Sequence, residues 1–85
     1  MFRAGDRVQC ISGAWYDDVS GITGTVMVHR RALNEIGVKF DKPVRYNRGN
    51  NLGGFLDEDE KPYGYWIYEE DLMLVKSTNR EVYDV

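Results

Sequence analysis

The sequence predicts an all-β domain, a five-stranded barrel with long loops and one short helical turn before the last strand. Two alternating apolar runs, 21–28 and 36–41, read as the strands of a central hairpin. An aromatic run, Tyr63-Gly64-Tyr65-Trp66-Ile67-Tyr68, reads as a further strand. Between the runs lie long segments rich in Gly, Pro, Asn and Asp, the residues of turns and loops.

A chain of 85 residues leaves room for one domain, here 1–76, with a polar tail at 77–85. Hydrophobic residues make up 42% and aromatics 13%, too apolar and too aromatic for a disordered chain. The single cysteine, Cys10, cannot close an intramolecular disulfide and sits in an apolar run, so it is expected as a small buried hydrophobe in a reducing compartment. Residues 1–6 lack an apolar core of signal-peptide length, and no window reaches the ~20 apolar residues of a spanning helix. The expectation is a cytoplasmic protein with no membrane partner.

In order along the chain, Gly5-Asp6-Arg7-Val8-Gln9-Cys10-Ile11 opens with a turn and becomes the first strand, with Val8 and Cys10 on one face. Residues 12–23 form a long Gly-bounded loop carrying Trp15 and Tyr16, and long loops in small domains are often where binding occurs. Gly21 and Gly24 are expected to supply positive-φ turn positions ahead of the second strand. In that strand Val26 and Val28 should share one face, with Thr25 and Met27 on the other. The connection His29–Glu35 is longer than a tight hairpin turn and is expected to be a flexible, basic tip. In the third strand Val38 and Phe40 oppose Lys39 and Asp41. Residues 42–62 contain two prolines and three glycines, which suit neither a helix nor a central strand. Within the aromatic strand, Trp66 and Tyr68 lie on one face and Tyr65 and Ile67 on the other, so one pair is core and the other partly exposed. Glu69-Glu70-Asp71-Leu72 then forms one helical turn, and Met73-Leu74-Val75 a short closing strand.

The opening Gly5-Asp6-Arg7-Val8 followed by Gly21-Ile22-Thr23-Gly24-Thr25-Val26 resembles the KOW type of SH3-like small barrel, in which a G-x-x-G-x-V turn joins the first two strands. The run 64–72 is similar to the closing strand and turn of small SH3-like proteins frequent in bacteriophage genomes. The resemblance covers residues 5–75 and implies a small binding module, either for a host protein or for nucleic acid. The chain departs from a KOW module in its longer first loop and its acidic charge, and it lacks the acidic-loop and tandem-tryptophan pattern of proline-peptide-binding SH3 domains.

The residue inventory disfavours an enzyme. His29 is the one histidine, which removes histidine triads and multi-histidine metal sites. Asp57-Glu58-Asp59-Glu60 could suit a hard cation, yet it lacks the twelve-residue loop spacing with a central glycine and reads as a solvated acidic loop. No cofactor is expected.

Charge is lopsided around its net value of −3: residues 29–48 hold six Arg and Lys against two acids, and residues 49–85 hold nine acids against three bases. The first reading is a non-enzymatic module, a monomer or weak homo-oligomer, binding a protein partner through Trp15, Tyr16, Asp57, Glu58, Asp59, Glu60, Tyr63 and Tyr65. The phage resemblance would make it a modulator of a host protein. The alternative is a KOW-like nucleic-acid binder using Arg30, Arg31, Lys39, Lys42, Arg45 and Arg48 as phosphate contacts and Tyr46 as a stacking ring.

Overall fold

The computed structural model describes residues 2–11, 19–44 and 62–77. Five strands form one antiparallel sheet: β1 (Arg7–Cys10), β2 (Thr23–Arg30), β3 (Glu35–Phe40), β4 (Gly64–Tyr68) and β5 (Leu72–Lys76), in the order β4-β3-β2-β1-β5. The all-β expectation is met, with 3-10 turns at Arg31–Leu33 and Glu69–Asp71 as the helical elements among the described residues. The expected barrel is corrected to an open sheet. β4 pairs with β3 and β5 with β1, and among the described residues no ladder joins these two edges. Among the described residues no helix is long and apolar enough to cross a membrane.

Alternation explains which face is buried. Val8 and Cys10 of β1, Val26 of β2, Ile36, Val38 and Phe40 of β3, Tyr65 and Ile67 of β4, and Leu72 of β5 form the core with Val19 and Val44. Each such side chain contributes roughly 1.5–3 kcal/mol by leaving water. Cys10 is fully buried, in keeping with a packing role. Phe2 and Ile22 pack against the cluster from its edges.

Two turns tie the first loop and the N-terminal segment to the sheet. Asp6 is 3% exposed and accepts a hydrogen bond from the Arg3 amide at 2.9 Å, while the flanking backbone is locked by Gly5 N to Val26 O at 2.7 Å and Val26 N to Asp6 O at 2.8 Å. Gly21 adopts φ +82° and donates to Cys10 O at 2.7 Å, the left-handed turn the sequence anticipates. Gly24 differs from expectation, because it lies inside β2 opposite Phe40 rather than in a turn. Its missing side chain serves close packing: a Cβ there would meet Lys39 O and Val38 Cγ1 at 2.7 Å and Phe40 Cα at 2.9 Å.

The β2 faces also differ from expectation. Val26 pairs with Val38, but Val28 pairs with Gly37, so two steps along β2 match one along β3. Met27 is the extra residue of a β-bulge, which reverses the alternation beyond it. Val28 therefore turns to the outer face and is 42% exposed, whereas His29, opposite Ile36, is half-buried.

The connection at the tip of this hairpin is shorter than the seven residues 29–35 expected, because both strands run further towards it. β2 and β3 pair as far as Arg30 and Glu35, and a 3-10 turn ends at Asn34 in the left-handed region with φ 56°. Asn34 docks this tip on the turn before β5. Its Nδ2 donates to Glu70 Oε2 at 2.9 Å, and its carbonyl accepts from Glu69 N at 3.1 Å.

Candidate interaction surface

Register and the bulge together decide what the outer face of β2, β3 and β4 displays. Val28, Gly37 and Trp66 form one row across the three strands, and Arg30, Glu35 and Tyr68 the next. Gly37 has no side chain, so in the first row no side chain of β3 stands between Val28 on one side and Trp66 on the other, and Gly37 itself is buried. The Arg30 guanidinium carbon lies 3.8 Å from the centroid of the Trp66 ring. Its Nη2 also reaches Glu35 Oε1 at 3.3 Å. Stacking of a half-exposed arginine on the half-buried indole is worth about 0.5–1 kcal/mol, and a partly exposed ion pair about 1 kcal/mol or less, so the two contacts orient Arg30 more than they stabilise the fold. Tyr68 is 46% exposed beside them.

The opposite end of the same face carries a different cluster. Arg7 donates to the Asp41 carboxylate from both terminal guanidinium nitrogens, Nη1 and Nη2, and Nη1 also donates to Thr25 Oγ1 at 2.8 Å. The hydrogen bonds from Arg7 hold the Asp41 carboxyl below its usual range, although partial burial opposes this. Thr25, Lys39, Phe40, Asp41 and Tyr63 line an open hollow of about 310 Å³ here. Among the described residues no three His, Cys, Asp or Glu side chains gather as a metal site would require.

The predicted site residues fare unevenly. Trp15, Tyr16, Asp57, Glu58, Asp59, Glu60, Arg45, Tyr46 and Arg48 lie outside the described residues. Tyr63 is half-buried at the wall of the hollow. Tyr65 is 6% exposed and belongs to the core, sharing its face with Ile67 and sitting opposite Val38. Of the basic set, Arg30 and Arg31 stand at the hairpin tip, whereas Lys39 lies near the far end of β3 and Lys42 just beyond it. Lys39 is four residues along β3 from Glu35, which separates the two pairs by about 13 Å. They do not form one continuous stripe.

The surface residues absent from the sequence-based site are Trp66, Tyr68 and Val28. A signal for the first two existed: Ile67 is the one aliphatic residue of 63–68, so the face it occupies is the face to bury. Nothing comparable marked Val28. No protein-family model, no curated protein and no solved structure matches this chain.

Proposed function

We propose that this protein is a non-enzymatic interaction module that engages a protein partner through the outer face of β2, β3 and β4, with Arg30, Trp66, Tyr68 and Val28 as its centre. The observation that carries this reading is the stacked and bridged Arg30 over Trp66. Trp, Tyr and Arg are the residue types that dominate interface energetics, and holding a long arginine in place before binding lowers the entropy lost on association.

The same observation weighs against the nucleic-acid alternative. Arg30 covers a face of the ring that a base would need, and Glu35 offsets its charge. A KOW-like SH3-like ancestry remains our reading of the fold. It is supported by β1 lying between β2 and β5 and by a 3-10 turn joining β4 to β5. The wider suggestion, a phage-encoded modulator acting on a basic host surface, rests on the sequence resemblance and on the acidic run 57–60.

The test is a pull-down from bacterial lysate with and without nuclease, comparing the tagged protein with Trp66→Ala/Tyr68→Ala. The module reading expects a protein band that survives nuclease and falls at least tenfold with the double variant, whose fold is verified by circular dichroism. Full retention by that variant rejects this face. Loss on nuclease treatment, together with loss in Arg31→Glu/Lys39→Glu, would transfer the function to nucleic acid.

A further inference from the structure

β5 is the outermost strand beside β1, and no described strand pairs with its other side. Only Leu72 of its five residues is buried, while Met73 is 47%, Leu74 43% and Val75 54% exposed. Proteins usually blunt such an edge with proline, a central charge or a covering segment, and the sequence Leu-Met-Leu-Val-Lys has neither proline nor a central charge. Its two ends differ in sign. Glu69, Glu70 and Asp71 precede the strand, and Lys76 ends it.

We propose that β5 is a self-association edge, at which two copies of this chain pair antiparallel about a two-fold axis centred on Leu74 and join their sheets into one. That register sets Leu74 against Leu74, Met73 against Val75 of the second copy, and Leu72 against Lys76. Two features argue for a second copy rather than an unrelated strand. The exposed apolar residues form a self-complementary set about the centre. The antiparallel arrangement also brings the basic end of each strand beside the acidic turn of the other, whereas parallel pairing would set acid against acid. Five residues per copy bury less than the ~1,200 Å² of a standard stable interface, so association is weak and rises with concentration.

The test uses the full chain in light scattering over the micromolar to millimolar range, with Leu74→Lys and Leu74→Cys. The wild-type mass should climb from 9.8 kDa towards twice that value. Leu74→Lys, which sets two like charges on the axis, should stay at the monomer mass. Leu74→Cys should form a covalent dimer on mild oxidation, because directly opposed residues of either antiparallel pair type lie ~4.5–5.5 Å apart at Cα, within disulfide reach. Cys10 is fully buried and does not compete. Leu33→Cys, at a hairpin-tip position 56% exposed, is the control and should cross-link at least tenfold more slowly. If Leu74→Lys unfolds, the cross-linking result decides. A wild-type mass unchanged up to millimolar concentration would overturn the proposal, including the case in which a different protein uses this edge. So would a dimer with no preference for cross-linking at position 74.

Discussion

The Arg30 guanidinium lies over the Trp66 ring, 3.8 Å from its centroid, although the two residues come from strands separated by the whole of β3. Arg30→Ala should lower stability by only about 0.5–1 kcal/mol, the scale of an exposed cation–π contact. Urea denaturation measures this directly. A loss above about 3 kcal/mol would make Arg30 a structural residue and remove it from the interaction surface.

The bulge at Met27 separates two valines that simple alternation would treat alike. Val26→Asp should unfold the domain, since an unpaired buried charge costs several kcal/mol against a total of ~5–15 kcal/mol, and Phe40→Asp should do the same. Val28→Asp, at a position 42% exposed, should leave a cooperative melt with a loss below about 1 kcal/mol. Equal effects at Val26 and Val28 in circular-dichroism melts would contradict the bulge.

Two glycines should respond differently to alanine. At Gly24 the added Cβ would press on Lys39 O, Val38 Cγ1 and Phe40 Cα, two of them backbone atoms that cannot step aside. A loss of roughly 2–3 kcal/mol is expected there from overpacking. At Gly21 the space is open and only the φ of +82° opposes a side chain, so about 1 kcal/mol is expected. Thermal midpoints of the two variants should fall in that order.

The Arg7–Asp41 pair predicts an acid-dependent contribution. The folded-state carboxyl titrates lower than the unfolded one, so the stabilisation is fully present above the ordinary aspartate range, near pH 4, and is lost as pH falls through the lowered folded value. Both side chains are more than a third exposed, which keeps the contribution below about 1 kcal/mol. Asp41→Asn should therefore cost a few tenths of a kcal/mol to about 1 kcal/mol at pH 7 and progressively less below pH 4. A difference between the variant and wild type that grows on acidification would reverse this assignment.

Much of the β architecture was legible along the chain. The runs at 7–10 and 36–40 alternate apolar residues with period two, those at 23–28 and 64–68 are rich in β-branched or aromatic residues, and each lies in a strand. The turn at Glu69–Asp71 and the packing role of Cys10 were legible for similarly local reasons, a short acidic run between strands and a free thiol in an apolar segment. The candidate surface was less so. Tyr65 and Trp66 are neighbours of similar chemistry, and alternation alone assigns them to opposite faces without saying which face is buried.

Where this chain becomes extended and which residues are available for a core follow from side-chain type and from a two-residue period, and so could be read along the chain. The bulge at Met27, the outward turn of Val28, the packing role of Gly24 and the reach of Arg30 to Trp66 across Gly37 and Glu35 arise only in the assembled sheet. Those outcomes depend on register between strands distant in the chain, and a shift of one residue exchanges every inward side chain for an outward one.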